Sequence, residues 1–195
     1  MEVGAWGAYS IAENDLQEFD LTISYTFWND MFTVLVSDYC FPTPDDDFCY
    51  FDYGKNTTSH VLEAGLLFNG LDNVPVSFEF YVNLYGADAQ TPSDDTQFSS
   101  YAELSYNPSV EAWDLDLNVF AGAALNGKNY TIDGEVPYIL ESYYGNDGFA
   151  FTNVGIKASK NLTPNSKVEM PLSTKIIFNP NANKAYFVAS LGIHI

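Results

Sequence analysis

The feature that most constrains this chain is a period of two, sustained over segments about ten residues long. In 18–28, Phe19, Leu21, Ile23, Tyr25 and Phe27 alternate with Glu18, Asp20, Thr22, Ser24 and Thr26. In 76–86, Val76, Phe78, Phe80, Val82 and Leu84 alternate with Ser77, Glu79, Tyr81, Asn83 and Tyr85. In 113–125, Trp113, Leu115, Leu117, Val119, Ala121, Ala123 and Leu125 share one parity. Successive side chains of a strand point to opposite faces, so each segment presents one apolar and one polar face. Segments 2–11, 31–41, 59–69, 98–107, 149–159, 168–178 and 185–195 extend the pattern to ten candidate strands. A weak helical signal covers only 137–144. No Pro/Gly/Ser-rich linker divides the chain, so residues 1–195 read as one all-β domain.

Strand length and connection length sharpen the fold. Strands of soluble sheets centre on about five or six residues, whereas about ten tilted residues cross a bilayer. After a first connection at 12–17, the connections alternate: short at 29–30, 70–75, 108–112 and 160–167, long at 42–58, 87–97 and 126–148, with the last long-side loop, 179–184, reduced. Outer-membrane barrels have short periplasmic turns and longer extracellular loops. The expectation is therefore an antiparallel up-and-down transmembrane β-barrel of ten strands as written. Its long loops would be extracellular, and its turns near Asn29, Asp72, Pro108 and Pro164 periplasmic. Pro171 resists this reading, because a closed sheet has no edge at which a missing N–H costs nothing.

Charge narrows the partners. The chain holds 26 Asp plus Glu against seven Lys and no Arg, a net charge of −19. That excludes binding to a nucleic-acid phosphate backbone, which needs a cationic footprint. It also argues against docking on anionic lipid surfaces. A hydrophobic share of 47% is too high for disorder. No apolar run approaches the roughly 18 residues of a spanning helix.

The charges also segregate by face. Glu2, Glu18, Asp20, Glu63, Glu79, Glu103, Asp114, Asp116, Glu169, Lys157 and Lys175 all take the parity opposite to the apolar residues. In a barrel they would line the lumen, with the apolar set against outer-membrane lipid. Rings of Asp and Glu select cations in pores, so a barrel that conducts small solutes would prefer cations over anions, with Glu63 and Glu103 most influential; the alternative is that these acids form a hydrated polar plug in a closed barrel. Asp38 alone among strand charges falls on the apolar parity. Phe27, Trp28, Tyr39, Phe41, Trp113, Phe149, Phe178 and Tyr186 sit at strand ends, where interfacial girdles lie.

Other candidates lie in the loops. Asp45, Asp46, Asp47 and Asp52 form the densest acidic cluster, read as either a Ca²⁺ site or a solvated loop; the spacing lacks the glycine and terminal glutamate of an EF-hand. Asp94 and Asp95 with Asp88 pose the same choice more weakly. Cys40 and Cys49 flank the first cluster, as a disulfide or as two free thiols. His60 and His194 are the groups that titrate near neutrality; His60 takes the apolar parity, where a girdle role outweighs catalysis. No nucleophile elbow, phosphate loop, dinucleotide fingerprint or zinc spacing occurs, and no cofactor is implied.

Val3-Gly4-Ala5-Trp6-Gly7-Ala8-Tyr9-Ser10, followed after an acidic turn by Glu18-Phe19-Asp20-Leu21-Thr22-Ile23-Ser24-Tyr25, resembles the opening strands of the TorF-like porins, small outer-membrane proteins of Gram-negative bacteria. The similarity continues through Phe32-Thr33-Val34, Asp38-Tyr39, Leu62-Glu63-Ala64-Gly65, Asn153 to Lys160, Asn179-Pro180-Asn181 and Tyr186-Phe187-Val188. The resemblance implies a membrane barrel in the cell outer membrane, a signal peptide, and a strand pair ahead of the Gly-x-Trp strand. Met1 opens onto Glu-Val-Gly-Ala-Trp with no basic n-region or apolar h-region, so the expectation is an N-terminally truncated stretch, with twelve strands in the full-length form. The function read from the sequence is a porin-like channel or loop-presenting surface protein, not an enzyme. The alternatives are an outer-membrane hydrolase using His60 and loop carboxylates, and a soluble β-barrel binding module.

Overall fold

The computed structural model describes residues 1–9, 17–42, 49–55, 57–71, 73–88, 96–126, 128–130, 138–140, 142–165 and 168–193. The alternating segments become strands in chain order: β1 (Glu2–Ala8), β2 (Glu18–Phe27), β3 (Phe32–Cys40), β4 (His60–Phe68), β5 (Val76–Gly86), β6 (Ser100–Tyr106), β7 (Ser109–Val110), β8 (Leu115–Ala124), β9 (Lys128–Tyr130), β10 (Tyr138–Leu140), β11 (Ala150–Asn165), β12 (Val168–Asn179) and β13 (Lys184–Leu191). The described residues of 137–144 form no helix; β10 pairs with β9 in a small separate ladder, and the helix seen among the described residues is one 3-10 turn, Glu111–Trp113. Eight residues of weak amphipathic pattern are too few to sustain a helix alone.

The sheet is one eleven-stranded antiparallel meander in the order β1-β2-β3-β4-β5-β6-β8-β11-β12-β13, with β7 beside β8. Every long strand pairs with its neighbour in sequence, the up-and-down topology that the alternation implied. Among the described residues no ladder joins β1 to β13. Both are largely exposed along their lengths.

Local chemistry explains several details. The β2–β3 turn places Asn29 and Asp30 at φ 54° and 62°, a left-handed conformation that their short polar side chains tolerate. Pro171 pairs with Asn161 on β11, and its carbonyl accepts from Gly192 N at 2.9 Å. In an antiparallel ladder a residue's N and C=O point to the same neighbour. The proline nitrogen therefore faces β13 just beyond the last β12–β13 pair, Leu172 with Leu191, and costs no ladder bond to β11.

The faces are sorted inside out. Among the described residues ten polar side chains are buried, including Ser37, Glu63, Asn83 and Ser105, against five apolar ones. Ile23, Val36, Leu66, Leu104, Ile156, Ile176 and Phe187 are all exposed. Side-chain contacts that skip a strand bend the sheet toward its polar face. Asn153 of β11 reaches Glu103 of β6 across β8 at 2.6 Å, and Lys175 of β12 lies 4.4 Å above the Phe120 ring of β8, across β11.

Candidate functional site: the polar concave face

Glycines make this concavity. A Cβ at Gly122 would collide with the Tyr101 ring, one at Gly155 with Phe120, and one at Gly65 with Tyr81 at 2.9 Å. Each inward aromatic ring thus lies over a bare patch of an adjacent strand, which lets bulky side chains lie flat and leaves space above them. Several cavities open there. One, about 380 Å³, is lined by Tyr39, Glu63, Tyr81, Tyr101 and Tyr144. Another, about 490 Å³, is lined by Glu79, Glu103, Lys157, Lys175, Asn118 and their neighbours. A third, about 580 Å³, shares Glu79, Glu103 and Lys175 and reaches Asn153 and Tyr186.

The three central glutamates are each held by a tyrosine. Glu63, 7% exposed, accepts from Tyr39 Oη at 2.8 Å and from Tyr144 Oη at 3.2 Å. Glu79 Oε2 accepts from Tyr81 Oη at 2.7 Å. Glu103 Oε2 accepts from Tyr101 Oη at 2.5 Å and from Asn153 Nδ2 at 2.6 Å. Hydroxyl donors let carboxylates be buried without a cation beside each one. Tyr144 comes from the segment after β10. Burial first, then the Glu63 charge, pushes its hydroxyl well above the ordinary phenol range. The sequence analysis reads none of these tyrosines as a carboxylate partner, yet a signal exists: Glu79-x-Tyr81 and Tyr101-x-Glu103 put donor and acceptor two apart, on one face of a strand. Tyr39, expected in an interfacial girdle, points to Glu63 instead.

The remaining sequence candidates are distributed unevenly. Glu18 and Asp20 are half-buried on the polar parity of β2, and Asp20 Oδ1 is buried without a partner among the described residues. Glu2 is exposed on β1. Asp116 lines the 490 Å³ cavity and accepts from Ser109 Oγ at 2.6 Å. Asp114 is not in a strand: it ends the 3-10 turn at φ 51° with its side chain 82% exposed, 3.6 Å from Lys160 Nζ. Glu169 is exposed on β12, where Asn161 Nδ2 donates to it at 3.2 Å.

Asp38 and His60, both on the apolar parity, satisfy one another. Cys40 pairs with His60 and Asp38 with Leu62, which makes Asp38 and His60 diagonal neighbours. His60 Nδ1 lies 2.7 Å from Asp38 Oδ1, and Nε2 lies 2.6 Å from the Tyr50 carbonyl oxygen. Both ring nitrogens are thus engaged by oxygen partners. Tyr53 Oη donates to Asp38 Oδ2 at 2.7 Å, and that bond, with burial, pushes the Tyr53 hydroxyl up to about 12. Tyr53 also lies over the imidazole at 4.3 Å between centroids. One register shift completes the clasp. Between Leu62 and Glu63 the β4–β5 pairing slips by one, so Tyr85 pairs with Leu62 and its hydroxyl donates to the Tyr53 carbonyl at 2.5 Å. The alternation read from sequence had put Tyr85 on the polar face; the bulge turns it outward. His60 is fully buried beneath this strap.

Cys40 is buried, Cys49 is exposed, and both are free thiols. Asp52 caps a tight turn, accepting from Gly54 N at 2.8 Å; the Thr57 hydroxyl and this amide hold its carboxyl below the ordinary range. Asp45, Asp46, Asp47, Asp94, Asp95 and His194 lie outside the described residues, and among the described residues no three acidic, His or Cys side chains gather as a metal site.

Comparison with family models, curated proteins and solved structures finds no match.

Proposed function

We propose that this chain forms a β-barrel in the outer membrane of a Gram-negative bacterium and that its polar interior conducts small solutes with a preference for cations. The observation that carries the reading is the inside-out sorting of its side chains. A sheet that buries Glu63, Asn83 and Ser105 while exposing Ile156, Ile176 and Phe187 is poorly suited to water on its apolar side and well suited to lipid there. Barrel closure belongs to the proposal, because hydrocarbon tolerates no unpaired strand edge. The edges of β1 and β13 would then pair with each other or with two further strands. The motif resemblance to TorF-like porins points the same way. A chain of aromatic contacts along one end, Phe27 to Trp28 to Phe32 to Phe68 at 5.5 to 6.4 Å between centroids, suits an interfacial girdle. His60, fully buried with both nitrogens engaged, suits a clasp better than proton transfer.

Planar-bilayer recording under a salt gradient tests the reading. The expected result is a cation-preferring reversal potential that shrinks in Glu63→Gln plus Glu103→Gln. Anion preference, absent conductance, or a chain that stays monodisperse without detergent overturns it.

A further inference from the structure

The ladder pairing inside the 490 Å³ cavity runs against stability. Glu79 stands directly opposite Glu103 on β5 and β6, and Lys157 directly opposite Lys175 on β11 and β12. Like charges facing each other across a ladder repel. Exchanging one member of each pair would give two cross-strand ion pairs at no cost in composition. Instead Glu79 and Glu103 stand on one wall of the cavity and both lysines on the other, with Asp116 of β8, which accepts from Ser109, between them. Among the described residues neither lysine nitrogen comes within the 4.0 Å of an ion pair to either glutamate.

Each wall is also held in place, with charged atoms left open to the cavity. Tyr81, Tyr101 and Asn153 occupy Oε2 of the two glutamates, and Oε1 of each takes no hydrogen bond among the described residues. Lys175 rests on the Phe120 ring, a cation–π contact that positions the ammonium without neutralising it. Lys157 makes no hydrogen bond or ion pair among the described residues. A lone anion would satisfy the lysines and leave two carboxylates bare; a lone cation would do the reverse. A molecule carrying both charges satisfies both walls at once. The rest of the lining is polar apart from Leu117. The cavity of about 490 Å³ has ample room for a small ligand and its hydration water, and no apolar slot for a large side chain.

We propose that the cavity between Glu79, Glu103, Lys157 and Lys175 binds a small amino-carboxylate zwitterion of glycine or serine size. Its carboxylate lies on the ammonium wall and its ammonium on the carboxylate wall. This deepens the channel reading by naming a solute class, and it rests on that reading's assignment of the polar face to the barrel interior.

The test is calorimetric titration of the full chain, refolded in detergent micelles, with glycine, acetate and methylammonium. Glycine should bind at least tenfold more tightly than either single-charge probe. Lys157→Gln plus Lys175→Gln should bring glycine down to the methylammonium level, and Glu79→Gln plus Glu103→Gln should bring it down to the acetate level. Lys157→Arg plus Lys175→Arg keeps both charges and should retain binding, which separates loss of the site from loss of the fold. Acetate or methylammonium matching glycine, or no binding by any of the three, overturns the proposal. Micelle titration needs no conductance. A barrel that conducts without favouring glycine refutes the site and spares the channel; one that binds glycine without conducting does the opposite.

Discussion

Replacing His60 by alanine removes the centre of the clasp that holds Tyr50 and Tyr53 against β3 and β4. Two hydrogen bonds go, 2.7 Å to the Asp38 carboxylate and 2.6 Å to the Tyr50 carbonyl. A bond to a charged group contributes about 1.5–3 kcal/mol and a neutral one about 1 kcal/mol. The ring's contacts with Tyr50 and Tyr53, at 5.1 and 4.3 Å between centroids, are lost as well and leave a void. Asp38 keeps the Tyr53 hydroxyl and is 16% exposed, so water and tyrosine soften its orphaned charge. The expected cost is about 3–5 kcal/mol, the range for breaking a buried pair by removing one partner. Urea unfolding of the refolded chain, followed by tryptophan fluorescence in micelles, measures it. Limited chymotrypsin digestion gives an independent readout, with faster cleavage at Phe51 and Tyr53. In a double-mutant cycle with Asp38→Ala the two changes should couple by about 2 kcal/mol. A His60→Ala cost within about 0.5 kcal/mol, the ordinary range for surface positions, or strictly additive costs, would refute the clasp.

Three further outcomes follow from other parts of the molecule. Ile176→Arg, at a position 57% exposed on the apolar face, should cost about 2–4 kcal/mol in a vesicle refolding titration, and Asn118→Arg on the polar face much less; equal costs would point to an aqueous sheet. Gly122→Ala drives a methyl into the Tyr101 ring and should cost about 1–3 kcal/mol, while Gly4→Ala, with nothing within 4 Å of its Cβ, should leave the urea midpoint nearly unchanged. Because Asp52 is held below the ordinary carboxylate range in the folded chain, its turn is favoured above that range and lost as pH falls through the lowered value. The Gly54 amide resonance should therefore titrate below a free aspartate's, and this transition should vanish in Asp52→Asn.

Most of the strand pattern was legible along the chain because a strand's two faces are a local property. The alternation from Glu18 to Phe27 or from Val76 to Val82 depends only on the backbone period, so the ten long strands, their order and the polar assignment of Glu63, Glu79 and Glu103 could be read directly, whereas the short β7, β9 and β10 could not. Boundaries failed where a turn overrode the alternation, as at Asp114, which continues the parity of Asp116 but sits in a 3-10 turn. Parity failed at Tyr85, because a one-residue slip in pairing is invisible to a period of two.

What the chain could not reveal by itself is who stands beside whom. Parity placed Glu79, Glu103, Lys157 and Lys175 on one face, but only the register of four strands sets acid opposite acid and lysine opposite lysine over a shared space. Asp38 and His60 were two separate anomalies in sequence; the diagonal across the β3–β4 ladder makes them partners. Side-chain alternation is decided residue by residue, whereas pairing is decided by turns, bulges and bare glycines acting together, and the charges of this face take their meaning from that pairing.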